Sequence, residues 1–313
     1  AEDARLLSAC SCFRGGFFLH AACDVASHAP SEDAIGPAKA RVRVARGIER
    51  LVDASLLHVD DAFTSPPSSQ PGANAAMPTA PSITPERRYR VPETLRAFAA
   101  EKLAELADRG EIEARFAHHY ASLRSRVPAA SLEEIVLERM NLEAAFDLAI
   151  TRESADAAAV LLSYAPVALT RGPLGPFIDR VTLALDRLVL LSDADRAELL
   201  YVRGLARVFQ GKRDEGLVDL SAASRDAKAS RSFRVFALAT AKMAVVVGLK
   251  GEIDEALRLF EEARVAADES ADDRTRGIVR KDLANVLSEA GRNDDAVVEL
   301  NRARQFLRAA GDS

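Results

Sequence analysis

The chain contains no tryptophan, and aromatic residues of every kind make up only 5% of it. β-Sandwiches lean on aromatic and β-branched side chains, so this scarcity beside abundant alanine favours close-packed helices. Cysteines number three. An odd count in a long chain offers no disulfide framework and makes the cytoplasm the expected location. No apolar run approaches the roughly 20 residues that span a bilayer, so no membrane partner is expected. The stretch "ARLLSACSCFRGGFFLHAACDVA" invites a signal-peptide reading. Glu2 and Asp3 precede it and Arg14 breaks its apolar core, which excludes that reading. Also absent are a G-x-x-x-x-G-K-[ST] loop, a dinucleotide fingerprint and a G-x-S-x-G elbow. The "GKRD" at 211–214 lacks both the earlier glycine and the hydroxyl. By itself the chain is expected to be no enzyme, to hydrolyse no ATP and to carry no cofactor.

What is present is ordinary for a globular chain: 313 residues, 48% apolar, 28% charged and a net charge of −5. That length holds two domains, or one domain and a repeat array. The net charge gives no global reason to expect nucleic acid, although a local basic patch remains open. Ala1 is not a methionine, and "RAAGDS" follows the last helix with no polar cap. Solenoids need capping repeats, so the expectation is an internal fragment whose array is truncated at the C-terminus.

Residues 1–110 read as helices with a hydrophobic turn at "FRGGF" (13–17), a helix around 43–57, and brief strand patterns at 56–61 and 87–91. Between the two strand patterns lies a segment, 64–85, with six prolines in 22 residues, no charge and little bulk. Such a segment is expected to be disordered. Pro92 suits the first position of the helix that follows, and Glu93 favours its positive end. Two short strands flanking a long loop, with helices before and after, outline a winged-helix-like domain. From about residue 110 everything reads as helix: a connector over 111–150, then antiparallel pairs over 151–313.

Those pairs repeat. "GKRDEGLVDLSAA" (211–223), "GEIDEALRLFEEA" (251–263) and "GRNDDAVVELNRA" (291–303) stand forty residues apart. The leading glycine is expected to end the first helix in a left-handed cap, and the acidic residue after it to cap the second helix. Gly204, Ala244 and Ala284 lie in the first helices. Gly216, Ala256 and Ala296 open the second, and Ala223, Ala263 and Ala303 follow seven residues later. A large side chain at these crossings would overpack them, at a cost of about 1–3 kcal/mol. Leu220, Phe260 and Leu300 are expected to fill the space between neighbouring pairs. Gly172 and Ala184, twelve apart like Gly211 and Ala223, suggest a degenerate fourth copy with Phe177 in place of the small residue.

This spacing resembles the tetratricopeptide repeat, with a period of 40 rather than about 34 residues. The resemblance implies a mainly α solenoid whose groove, lined by first-helix residues, binds a protein or peptide. Tyr201, Arg203, Lys242 and Arg280 are the candidate groove positions. The N-terminal half carries a second resemblance. In order, "LLSACSCFRGGFFLHAACDVA", "IERLVDASLL", "RRYRVPETLRAFAAEKLAE" and "LERMNLEAAFDLA" look like the region after the nucleotide-binding module of bacterial signal-transduction ATPases of the NB-ARC (STAND) class. The "FRGGF" turn, the "ETLR" helix start and the Glu138–Asn141–Leu142–Ala145 spacing are its most specific parts. The family implies a switch, in which a winged helix holds an upstream nucleotide module closed until a signal engages the repeats. It implies a regulatory and partner-binding role, controlling transcription, with ATP or ADP bound elsewhere in the full-length protein. Many relatives carry a histidine contacting nucleotide where Pro92 stands here. Proline has no donor, so Glu93 or the backbone would have to serve. Two alternatives remain: a stand-alone adaptor, or DNA binding through the winged helix.

Lys39, Arg41, Arg43, Arg46 and Arg50 form a candidate basic face, and Arg87, Arg88 and Arg90 flank the long loop. The family resemblance favours docking on an acidic surface of the nucleotide module over DNA. Cys10, Cys12, His20, Cys23 and His28 do not converge at zinc-site spacings and are read as buried small residues. His118 and His119, beside Tyr120, have no nucleophile placed to use them. Glu261–Glu262 and Asp272–Asp273 lie on solvated helix ends.

Overall fold

The computed structural model describes residues 2–27, 37–60, 87–126, 132–189 and 191–311. The proline-rich segment 64–85 and His28 lie outside these described residues. The chain is mainly helical and divides into two compact units. One is Ala1–Leu123 with Glu133–Ala149; the other is Arg124–Leu132 with Ile150–Ser313. Most of the stretch expected as a connector, 111–150, therefore belongs to the first unit.

The first unit runs α1 (Glu2–Cys10), β1 (Phe17–Phe18), α2 (Leu19–Ala26), α3 (Pro37–Asp53), β2 (His58–Asp60), β3 (Arg88–Arg90), α4 (Glu93–Ala104) and α5 (Arg109–Ala121). The three strands form one antiparallel sheet in the order β1-β3-β2. Val59 stands opposite Tyr89 on one side of β3, and Phe17 opposite Tyr89 on the other. β1 had no strand signal of its own: two residues at the end of "FRGGF" are too few to show alternation. Phe13 and Phe17 stack with centroids 4.3 Å apart, and Phe116 and Tyr120 of α5 close over Phe13 edge-on. These rings, with Ile48, Leu57 and Ile112, are fully buried and make the core.

After α6 (Leu123–Arg126) come α7 (Leu132–Leu137) and α8 (Arg139–Thr151). Within the stretch expected as a helical connector the helix is thus interrupted at Glu138, whose side chain is taken up by the polar cluster below. Pro92 also stands one residue earlier than expected. It is the N-cap of α4, and its carbonyl accepts the amides of Leu95 and Arg96 at 3.0 Å.

The second unit continues with α9 (Asp156–Arg171), α10 (Leu174–Arg187), α11 (Asp193–Phe209), α12 (Arg213–Ala229), α13 (Phe233–Gly248), α14 (Ile253–Glu269), α15 (Asp273–Glu289) and α16 (Asn293–Ala309). From α11 onward every helix has 16 or 17 residues. The turns alternate at intervals of twenty. Gly211, Gly251 and Gly291 hold φ of 81°, 87° and 76°, and Arg231, Ala271 and Gly311 hold 55°, 53° and 81° between them. At Gly211, Arg231, Gly251 and Gly291 the amide of the next residue reaches back five residues, as from Lys212 N to Arg207 O at 2.9 Å.

The crossings are close. A Cβ on Gly216 would meet Val208 Cγ2 at 2.6 Å and the Gly204 carbonyl oxygen at 2.9 Å. Ala223, Ala244, Ala256, Ala263, Ala284, Ala296 and Ala303 are all buried, as are Leu220 and Phe260. Phe260 joins Ala237, Ala241, Ala244, Ala263 and Val279 in one apolar cluster spanning α13, α14 and α15. Phe177 and Ala184 are buried in α10, and Gly172 ends α9 with φ 64°.

Two expectations are corrected. Leu300 does not fill a gap between pairs: it is 45% exposed, because α16 is the last described helix and no first helix packs on that flank. Nor do acid side chains cap the second helices, whose N-cap residues Lys212, Glu252 and Arg292 make no side-chain cap bond. The left-handed turn uses one residue more than expected, so Asp214, Asp254 and Asp294 fall inside the first helical turn and act on the helix dipole. Side-chain caps appear instead on first helices, where Ser192 accepts from Asp195 N and Asp272 from Arg274 N.

Candidate functional site

The first unit contains a buried polar cluster assembled from three distant segments. Arg88 of β3 is 4% exposed, and its Nη2 lies 3.0 Å from Glu138 Oε1, an ionic contact outside hydrogen-bond geometry. The same nitrogen donates to the Leu137 carbonyl at 2.7 Å and to that of Gly16 at 2.5 Å. Tyr120 donates its hydroxyl to Glu138 Oε2 at 2.6 Å, and Asn141 Nδ2 reaches the same oxygen at 2.7 Å. Asn141 also bonds both glycines of "FRGGF", donating to Gly16 O at 2.9 Å and accepting from Gly15 N at 3.0 Å. The loop is thus held by side-chain groups of α8 and β3. A side chain at Gly16 would collide with Arg88, whose Nε would stand 2.5 Å from its Cβ. Burial, with the charge of Glu138 beside it, pushes the Tyr120 phenol well above its ordinary range.

A charge pair buried this deeply is costly to break, since removing one partner leaves the other desolvated and alone. Arg88 was expected on a basic surface beside the long loop; it is inside. No isolated sequence signal separates it from its exposed neighbours Arg87 and Arg90. Alternation along β3 puts Arg88 and Arg90 on one face, and only the covering elements bury one of them.

His119 is also inside, 2% exposed at its side chain, with Nδ1 2.8 Å from Asp24 Oδ2. His118 is exposed. Cys10, Cys12 and Cys23 are buried and form no disulfide, and burial pushes the Cys10 thiol up. Glu93 is exposed and bonds Arg96 at 2.5 Å, while Arg96 also donates to Arg14 O at 2.9 Å.

The basic face lies on α3. Lys39, Arg41, Arg46 and Arg50 are exposed, and Arg43 is partly buried. Spacing puts Lys39, Arg43, Arg46 and Arg50 on one stripe beside Val42, which is 52% exposed. The start of α1 neutralises half of it: Arg50 grips Asp3 with bonds of 2.9 and 2.6 Å, and Arg43 Nε lies 3.2 Å from Glu2. Arg50 holds the Asp3 carboxyl below its ordinary 3.8.

In the array, the four candidate groove residues are engaged within the protein. Arg203 makes a two-pronged pair with Asp219, at 2.9 and 2.7 Å, and also donates to Thr182 at 3.1 Å. Arg207 joins the same carboxylate at 2.7 Å. Arg280 pairs with Glu299 at 2.8 Å and lies 5.5 Å from the centre of the Phe306 ring. It stands one turn before Ala284 and so faces the second helix of its own pair. Lys242 Nζ sits 2.6 Å from Asp282 Oδ2, linking α13 to α15. Tyr201 packs with Ala197, Ala227 and Val235, and burial pushes its phenol up from its ordinary 10. Sequence reasoning missed Asp219 and Asp282, 3% and 4% exposed. Asp219 had a signal: an acid inside an apolar stripe, three residues after Gly216, with two arginines four apart in the facing helix.

No helix among the described residues is long and apolar enough to cross a membrane. No protein-family model matches the chain, and no curated protein matches it significantly.

Proposed function

We propose that this chain is the regulatory and partner-binding portion of a bacterial signal-transduction ATPase of the NB-ARC class, acting in transcriptional control. In this reading unit one is a winged-helix-like domain and unit two a tetratricopeptide-type array that receives a protein or peptide signal. The carrying observation is the buried cluster. The motifs on which the resemblance rests, "FRGGF" and the Glu138–Asn141 spacing, lie more than 120 residues apart and bond one another directly. The element order α1-β1-α2-α3-β2-β3, with β3 between β1 and β2, supports the winged-helix reading. Equal helices crossing at glycines and alanines support the repeat reading.

The basic stripe of α3 fits docking on an acidic protein surface better than binding DNA. Two of its four cations are already paired, Arg88 is withdrawn from the surface, and Val42 gives the stripe an apolar centre. The test is the coding sequence upstream of Ala1, over roughly 300 codons, enough for two domains. A G-x-x-x-x-G-K-[ST] loop between strand and helix is the expected result. A start codon within a few residues of Ala1 would instead make the protein an adaptor without a nucleotide switch.

A further inference from the structure

The outward face of α3 borders a recess of about 490 Å³, lined by Glu2 of α1 and by Lys39, Val42, Arg43, Arg46 and Arg50. At 100° per residue the four cations fall within about 60° of one another, and Arg41 lies on the opposite side of the helix. This chain's own carboxylates fill half of the recess. Arg50 takes Asp3 in a two-pronged pair and Arg43 lies beside Glu2, both acids coming from the first turn of α1. Lys39 and Arg46 are exposed and have no ion-pair or hydrogen-bond partner among the described residues. Val42, 52% exposed, stands between them.

The filled half indicates what the open half takes. There the stripe engages carboxylates that a helix presents to it. Lys39 and Arg46 are two helical turns apart, about 10 Å along the axis. A second helix lying along α3 matches that spacing with two carboxylates seven residues apart. An apolar side chain three or four residues from each then reaches Val42. Nucleic acid is the poorer match. Two unpaired cations neutralise about two phosphates, against the roughly 6–10 of strong duplex binders. A phosphate backbone also offers Val42 nothing apolar, and it would meet Glu2 and Asp3 on the same face.

We propose that the open half of this recess, formed by Lys39, Val42 and Arg46, docks an acidic amphipathic helix of a partner protein. It rests on the reading of α3 as a protein-docking face and names what that face takes: two carboxylates seven residues apart, with an apolar residue between. Exposed ion pairs are individually weak and screened by salt, so an isolated helix binds loosely and releases as salt rises.

The test is fluorescence anisotropy of three labelled probes titrated with the purified chain at low salt. One probe is an alanine-based peptide of about 20 residues, long enough to be helical, with two glutamates seven apart and a leucine between them. The second has glutamine for both glutamates, and the third is a short duplex DNA. The acidic peptide should bind about fivefold or more tighter than the glutamine peptide. Lys39→Glu and Arg46→Glu should each weaken it about threefold to fivefold, whereas Arg41→Glu, the same change of charge on the opposite side, should alter it less than about twofold. The Lys39→Glu/Arg46→Glu double variant should instead prefer a peptide with lysine for both glutamates. Both side chains are exposed and unpaired, so urea midpoints should stay unchanged, which separates lost binding from lost folding. Equal binding of the glutamate and glutamine peptides, no binding of either, or a loss with Arg41→Glu as large as with Arg46→Glu overturns the proposal. Duplex DNA held more tightly than the acidic peptide at about 0.15 M salt overturns it in favour of nucleic acid. No nucleotide module enters this assay, so its failure leaves the upstream coding sequence to decide the ATPase reading, and a start codon near Ala1 leaves a positive peptide result standing.

Discussion

A single hydroxyl in the buried cluster has measurable weight. Tyr120→Phe keeps the ring stack with Phe13 and Phe116 but takes one donor from Glu138, a carboxylate with no solvent to replace it. The expected cost is about 1–3 kcal/mol, read as a lower urea midpoint at neutral pH. At the crossings, size decides rather than polarity. Ala263 is fully buried beside Phe260, and Ala263→Leu adds three carbons where no void receives them. A loss of about 1–3 kcal/mol is expected, and an unchanged melting temperature would remove the close-crossing account.

The helices of the array are set by their ends. Every twenty residues the backbone takes a left-handed step, and three of the five steps from 211 to 291 fall on glycine. Arg231 and Ala271 take theirs with a Cβ, which costs roughly 1 kcal/mol against glycine before the unfolded chain is considered. Ala271→Gly relieves the step but frees the unfolded chain by about half as much. The net expectation is a gain of about 0.5 kcal/mol, while Gly251→Ala, at φ 87°, should lose stability. Thermal melts of the two variants side by side check both signs.

Over the whole molecule the buried tyrosines contribute to the alkaline limb of stability. Burial raises the folded phenols of Tyr120 and Tyr201 above the ordinary 10 of the unfolded chain. Above pH 10 the unfolded state therefore binds fewer protons, and stability falls as pH rises; below pH 10 both states keep the proton and this contribution is complete. Each such phenol adds a slope of up to about 1.4 kcal/mol per pH unit. Tyr201→Phe should leave stability near pH 8 close to unchanged and make the fall between pH 10 and 11.5 shallower. Urea midpoints across that range decide it, and a slope identical to the parent's would show the phenol free to ionise in the folded chain.

Much of the array was legible in the sequence, because the constraints that shape it are local and repeat. A glycine where the backbone turns left-handed, and an alanine where two helices touch, are read from spacing alone. So Ala223, Ala256 and Ala263 could be assigned to crossings, and Gly211, Gly251 and Gly291 to the ends of first helices. What escaped depends on contacts between segments far apart. β1 is a strand because β3 lies beside it, and Arg88 is buried because residues 16, 137 and 138 close around it, whereas Arg90 stays exposed. Arg203 and Arg280 likewise read as candidates to line a groove, whereas Asp219 and Glu299, across the helix pair, hold them. Spacing along one element fixes which face a residue occupies. Whether that face meets water, carboxylate or another helix is decided only when the chain is folded, since burial and charge pairing belong to the partner as much as to the residue.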